Sequence, residues 1–248
     1  MASPADTIPA RIAGLDVFRG WAIVLMIVFH FAFDLSFFRF IDANLARDTF
    51  WVYFRYVIVT IFMVSVGISL GIVHATHVRW DRVLRRAVIL GAASVVVTVA
   101  TYIQAPHTWV YFGILHLIFV VSLVGLLFVR HPALALAAAM LIFYGAYDGW
   151  LMHVQHQCYL AVRHPLHLPH RTEDLARFVP WFGATLVGIA AHGWGWDRLI
   201  FSRGPLAAGN QMNRFLAFLG RHALVIYLIH LPVLFGAVMG VRMAMPLP

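Results

Sequence analysis

The sequence predicts an all-α integral membrane protein, and three observations carry that prediction. Of the 248 residues, 62% are hydrophobic and only 11% are charged, and the mean hydropathy is +0.84. Soluble domains contain about 45–50% apolar and about 25% charged residues, so an ordinary soluble enzyme and a disordered chain are both excluded. The apolar residues also form long blocks, and a membrane-spanning helix needs about 20 such residues.

Seven apolar blocks predict a bundle of about seven transmembrane helices in a single domain, residues 1–248. Prolines, glycines and charged residues at 106, 130–132 and 193–195 separate several of them. Two small-residue motifs, Gly67-x-x-x-Gly71 and Gly236-x-x-x-Gly240, predict close helix packing. The predicted spans are 17–38, 50–73, 87–104, 109–129, 132–150, 177–194 and 222–242.

The arginines indicate how these helices are oriented. The net charge of +8 comes from 18 arginines without any lysine, and the arginines lie mainly at the ends of apolar blocks. Eleven would face the cytoplasm and six the outside if the N-terminus is cytoplasmic, so the positive-inside rule predicts a cytoplasmic N-terminus and a periplasmic or extracellular C-terminus. Topology and the anionic lipid leaflet explain the charge, and no nucleic-acid partner is expected. A bacterial inner membrane is the predicted location.

Ionisable side chains inside the predicted spans indicate a functional layer near the outer face, because each costs a few kcal/mol to insert. His30 and Asp34 lie four residues apart on one face of the first helix, and His116 lies at a similar depth in the fourth. A carboxylate near an imidazole can fix its tautomer and raise its basicity. We therefore expect His30, Asp34 and His116 to be catalytic, with Arg55 and Asp148 lining the pocket. The alternative is that His30 and Asp34 only satisfy each other, with Arg55 neutralising the carboxylate.

Two further groups of histidines leave alternatives open. His230 stands beside Pro232 in the last span, and it either lines the same cavity or hydrogen-bonds a carbonyl that the proline frees. The predicted loop 151–175 contains several histidines, but it has no pair of cysteines and no carboxylate before Glu173. We therefore expect no metal site there. The histidines of this loop are His153, His156, His164, His167 and His170.

A cationic rim is predicted at the cytoplasmic ends of three helices. Arginine forks match phosphate geometry, so this rim is a candidate site for a phosphorylated donor in the cytosol. Anchoring by the positive-inside rule is the alternative explanation. The rim residues are Arg19, Arg85, Arg86, Arg221 and His222.

Six sequence blocks, in order over nearly the whole chain, share the pattern of a known family. They are Gly14 to Gly20, Met26 to Leu35, Phe62 to Ser69, Phe112 to His116, Pro180-Trp181-Phe182-Gly183 with Gly188, and Leu219 to Pro232. Together they resemble the heparan-α-glucosaminide N-acetyltransferase-like membrane proteins, a branch of the transmembrane acyltransferase superfamily. The first and last blocks are the most specific.

The resemblance implies a reaction across the bilayer, in which acetyl-CoA is supplied from the cytosol and an amine on the far side receives the acetyl group. The cationic rim would then hold the nucleotide phosphates, and the thioester would reach His30, about 16 Å along the helix from Arg19. Trp181 and Tyr227 lie in matching blocks and are expected at the pocket. In the lysosomal relatives an Asn matches His30 and a catalytic histidine follows, whereas residues 36–44 contain none. His30 and Asp34, helped by His116, would have to replace it.

Three functional hypotheses follow. The first is an integral-membrane acyltransferase that moves an acetyl or acyl group from acyl-CoA to an amine or hydroxyl of a sugar or envelope glycan; a second subunit could supply parts of the acceptor site. The second is a proton-coupled transporter or flippase that uses the buried His and Asp residues as a relay. The third is haem binding between facing histidines.

Overall fold

The computed structural model describes residues 12–163, 165–170, 172, 174–203, 206 and 209–245. It is 78% helical and, in this described part, has no strand beyond an isolated bridge between Phe112 and Leu175, which confirms the all-α prediction. The helices are α1 (Ala13–Phe37), α2 (Thr49–His74), α3 (Trp80–Gln104), α4 (Ile114–Val124), α5 (Pro132–Asp148), α6 (Trp150–Arg163), α7 (Phe178–Gly193), α8 (Trp196–Arg203), α9 (Gln211–Arg221) and α10 (Ala223–Ala244).

Every predicted span contains a helix, but the count of seven membrane crossings is not confirmed. Within the part of the chain that the structure describes, four helices, α1, α2, α3 and α10, are long and apolar enough to cross a bilayer. Helices α5 and α6 pass the same test together, with a bend of 83° between them, which makes up to five spans. The predicted spans 109–129 and 177–194 contain only shorter apolar helices, Ile114–Leu127 and Phe178–Gly193. The chain is an integral membrane protein, and the orientation of its termini stays a prediction.

Contacts group the chain into two compact units. The described residues of the terminal unit lie within Arg11–Phe62 and Arg198–Pro248, and those of the central unit lie within Met63–Asp197. Helix α2 contributes its first half to the terminal unit and its second half to the central unit. The prediction of a single domain stays a prediction.

In the terminal unit, α1 packs against both α9 and α10. Glycines allow the close approach of α1 and α9: a side chain at Gly20 would clash with the backbone of Leu216, and one at Gly220 with the backbone of Asp16. Further along α1, Ile23, Met26 and Phe29 form the centre of a buried apolar cluster. This packing holds one face of α1 against its neighbours over most of the helix length.

In the central unit, α5 packs against α7 and α3 against α4. The second half of α2 approaches α7 closely, because Gly67 leaves no room for a side chain beside the backbone of Thr185. The N-terminal end of α4 is capped from outside the helix, since Asp174 Oδ2 accepts the backbone N–H of Ile114 at 3.2 Å. This cap ties the segment before α7 to the start of α4.

Candidate active site

The strongest candidate for a reaction centre is a pair of histidines in the terminal unit, one from α1 and one from α10. The rings of His30 and His230 meet edge to face with their centroids 4.8 Å apart, and His30 Nδ1 lies 3.3 Å from His230 Nε2. His230 is only 5% exposed, and both helices are membrane-spanning by length and composition. An imidazole pair inside the span of two apolar helices carries the cost of burying polar atoms, which indicates a functional role.

Backbone carbonyls assign the tautomer of each ring. Nδ1 of His230 lies 2.7 Å from the carbonyl oxygen of Tyr227, and Nδ1 of His30 lies 2.9 Å from that of Met26. A carbonyl oxygen can only accept, so both Nδ1 atoms must carry the proton and both Nε2 atoms keep a lone pair. The Nδ1–H of His30 is then shared between Met26 and the lone pair of His230 Nε2.

The free nitrogen of the pair is therefore Nε2 of His30. No described residue hydrogen-bonds this atom, and its lone pair is available to take a proton from a substrate. The Nδ1–H on the other side of the ring is held by Met26 and His230, which fix the orientation of the imidazole. A base oriented through its second nitrogen is the arrangement that proton-transfer chemistry requires.

Asp34 does not orient His30 in this structure. Its carboxylate is 3% exposed, and Oδ2 has no hydrogen-bond partner among the described residues. Arg55, predicted to lie in the same layer, is exposed on α2, and the described residues include no ion pair between the two. Asp34 therefore remains a buried carboxylate one helical turn from His30 with an unused oxygen.

A second polar feature of the terminal unit is an open groove of about 550 Å³ at the N-terminal end of α1. Two arginines and an amide line it from one side of α9, where positions 211, 214 and 221 share a face. The opposite face of α9 is buried, through Asn213, Leu216 and Gly220. The residues that line the groove are Ala13, Gln211, Arg214, Phe215, Ala217 and Arg221.

With this geometry in view, comparison with known proteins decides the family. Residues 11–232 match the family described as heparan-alpha-glucosaminide N-acetyltransferase, catalytic. The chain belongs to this N-acetyltransferase family. Comparisons with curated proteins and with solved structures find no match. The family assignment confirms the resemblance seen in the sequence blocks and makes the chain a member of a family of membrane acetyltransferases. Both the histidine pair and the groove lie within the matched residues.

The other predicted rim residues of this family member are distributed over both units. In the terminal unit, Arg19 bonds the buried carboxylate of Asp16 at 3.2 Å, and His222 is exposed with its Nδ1 2.9 Å from the carbonyl oxygen of Phe218. In the central unit, Arg85 is exposed, whereas Arg86 donates from Nε to the hydroxyl of Ser122 at 3.2 Å. Of the five predicted rim residues, Arg221 is the one that lines the groove.

His116 has a structural role that the sequence pattern did not predict. Its Nδ1 accepts the backbone N–H of Gly113 at 3.2 Å, at the start of α4. Its Nε2 lies 3.1 Å from the hydroxyl of Thr98, which itself donates to the carbonyl of Val110. Both ring nitrogens are therefore engaged, and the catalytic role of His116 stays a prediction that the geometry does not favour.

The remaining predicted pocket residues lie in different surroundings. Asp148 is exposed at the end of α5, before Gly149 with φ 92°, and Trp181 is half-buried in α7. The carbonyl oxygen of Tyr227 accepts the Nδ1–H of His230. The ring centroids of the two residues lie 5.5 Å apart. Among the described residues, no group of three or more His, Cys, Asp or Glu side chains could hold a metal ion. His164 and Glu173 lie outside the described residues.

Two residues that line the groove were missed at the level of sequence. Arg214 was used only to orient the helices and Gln211 was not considered, although both lie on the same side of α9 as Arg221. The signal was available in the amphipathic pattern of residues 211–221, where polar residues at 211, 214 and 221 face away from the buried positions 213, 216 and 220.

Proposed function

We propose that this chain transfers an acetyl or other acyl group from cytosolic acyl-CoA to an amine or hydroxyl of a sugar or envelope glycan on the outer side of the membrane. One observation carries the proposal: His30 keeps a free Nε2 lone pair while its Nδ1–H is held by Met26 and His230. The family supports acetyl transfer, and this nitrogen supplies the base that such a transfer requires.

The proposed chemistry is direct transfer in a ternary complex. The acceptor nitrogen or oxygen attacks the thioester carbonyl carbon, and Nε2 of His30 takes the proton that the acceptor loses. The carbon–sulfur bond breaks with its electron pair on sulfur, and the thiolate receives that proton from His30, which gives free CoA and the acylated acceptor. While His30 is an imidazolium, the lone pair of His230 Nε2 accepts its Nδ1–H and stabilises the added charge.

The groove is the proposed binding site for the phosphates of the donor. Arg214 and Arg221 are exposed along its wall. Each guanidinium group can donate two parallel hydrogen bonds to the oxygens of a phosphate group. Gln211 adds an amide donor on the same side of α9. Helix α1 begins at this groove and leads to His30, so donor and base lie along one helix in this proposal.

The decisive experiment uses the purified protein in lipid nanodiscs, radiolabelled acetyl-CoA and glucosamine as acceptor. We expect acetyl transfer by the wild type, unchanged acetyl-CoA affinity in His30→Asn, and a fall in kcat of about 10²- to 10⁴-fold. Asparagine suits this test because its amide can still donate near the position of Nδ1 while the base at Nε2 is lost. His107→Asn, at an exposed loop histidine, is the matched control.

A second arm of the same experiment addresses the donor site. Arg221→Gln and Arg214→Gln should each raise the KM for acetyl-CoA several-fold without changing kcat. The control variant Arg242→Gln, at an exposed arginine near the C-terminal end of α10, should change neither KM nor kcat. Equal turnover by wild type and His30→Asn would overturn the role of His30. Proton-dependent solute flux without CoA binding would favour the transporter instead, and a haem-coloured protein would favour haem binding.

A further inference from the structure

The unused carboxylate oxygen of Asp34 is the least explained polar atom of the terminal unit. Asp34 is 3% exposed and lies inside a membrane-spanning helix, yet its Oδ2 has no partner among the described residues. Buried polar groups are almost always hydrogen-bonded, because an unsatisfied one loses its hydration without compensation. An oxygen left in this state next to a candidate base indicates that a ligand supplies the missing donor.

The contacts between α1 and α10 locate Asp34 relative to that base. The two helices meet at His30 and His230, and they meet again where Phe235 lies 5.8 Å from Phe37 and 5.0 Å from Phe38, measured between ring centroids. Asp34 lies between these two levels and, four residues after His30, on the same face of α1. One helical turn, about 5.4 Å of rise, separates the two residues.

We propose that Asp34 binds the amino group of the acceptor and selects amines over hydroxyls, an inference that rests on the proposed acyl transfer. A carboxylate pairs with an ammonium group through a charge-assisted hydrogen bond, which a neutral hydroxyl cannot match. The groups of this chain that were predicted to satisfy Asp34 make no bond to it among the described residues: His30 bonds Met26 and His230, and Arg55 is exposed. The acceptor's ammonium group would complete the site.

The proton balance gives each residue a separate task. The acceptor arrives as an ammonium ion and passes one proton to Asp34, which leaves a neutral amine with a lone pair. The amine nitrogen forms a bond to the thioester carbonyl carbon and loses a second proton to Nε2 of His30. When the carbon–sulfur bond breaks, His30 returns that proton to the sulfur of CoA, and Asp34 releases its own to solvent. The sum is an amide, free CoA and one proton.

The test compares glucosamine with glucose, which differ at one position by an amine in place of a hydroxyl. Binding to the protein in nanodiscs is measured by calorimetry, without acyl donor, for wild type, Asp34→Asn and Asp42→Asn. We expect the wild type to bind glucosamine at least tenfold more tightly than glucose, and Asp34→Asn to remove this preference. Asp42→Asn, at an exposed carboxylate that follows the same helix, should retain it.

In the transfer assay, Asp34→Asn should raise the KM for glucosamine at least tenfold and leave the KM for acetyl-CoA unchanged. Equal wild-type affinity for the two sugars, or a preference that survives in Asp34→Asn, would overturn the inference. The binding measurement on the wild type stands even if the variant does not fold. Failure of the proposed function is recognised separately, since it appears as unchanged turnover in His30→Asn whatever the sugar preference.

Discussion

His30 in the terminal unit and His116 in the central unit look alike in sequence, because each is a histidine within a predicted apolar span. Their hydrogen bonds differ. Both nitrogens of His116 are engaged, by the Gly113 backbone and by Thr98, at the start of α4. His30 uses only Nδ1, and the described residues leave its Nε2 without a partner.

This difference predicts that the partners of a buried histidine, and not its depth, distinguish a base from a structural residue. A ring with both nitrogens satisfied stabilises a helix end and has no free lone pair. A ring held through one nitrogen presents the other in a defined direction. Asp34 adds a third case, because its buried Oδ2 has no partner among the described residues and is available to accept a hydrogen bond from a ligand.

The largest difference in kcat is expected between the separate variants His30→Asn and His116→Asn. His30→Asn should lower kcat by about 10²- to 10⁴-fold, since the base is lost. His116→Asn should leave kcat of the folded protein close to wild type and lower its stability by about 1–3 kcal/mol, because it breaks hydrogen bonds at the start of α4. Acetyl transfer and thermal unfolding of both variants check this. A loss of kcat in His116→Asn as large as that in His30→Asn would show that the comparison is wrong.

A smaller effect is expected from His230, which acts through His30 as a positioning residue. His230→Gln places an amide oxygen near the site of Nε2 and can still accept from His30, so it should keep most of the kcat. His230→Asn keeps a donor for the Tyr227 carbonyl but loses that acceptor, and kcat should fall by about 10- to 100-fold with the KM for acetyl-CoA unchanged. Equal losses in the two variants would instead indicate a purely structural role for the residue.

The smallest effect on turnover is expected from replacing Gly67 and Gly236. Here the two units are compared through the stability of the protein. Gly67 packs against α7 in the central unit, whereas a side chain at Gly236 in the terminal unit would meet no described residue within 4 Å. Gly67→Ala should therefore destabilise the protein by about 1–3 kcal/mol. Gly236→Ala should stay within about 0.5 kcal/mol of the wild type. Thermal unfolding in one detergent measures both, and a larger loss for Gly236→Ala would indicate that this face of α10 is packed after all.

The two glycine motifs also show where sequence reasoning ended. Both have the same spacing and both lie in apolar helices, so the sequence predicts close packing for each. Only Gly67 and Gly71 meet a neighbouring helix, at Thr185 and His192, because a spacing motif states which residues share a face and not what that face meets. The predicted span 109–129 begins too early for a related reason, since apolar composition continues through residues such as Trp109 and Tyr111 that precede α4.

The sequence by itself determined that the protein is helical and membrane-embedded, that it belongs to an acetyltransferase family, and that His30 and Asp34 share a face of the first helix. These properties depend on composition, periodicity and short-range spacing, which are local. Only the tertiary structure decided that His30 pairs with a histidine 200 residues away, that the oxygen of Asp34 is left without a partner, and that Arg214 joins Arg221 in a groove. Hydrogen bonds between distant segments depend on how helices pack, and no local pattern encodes that packing.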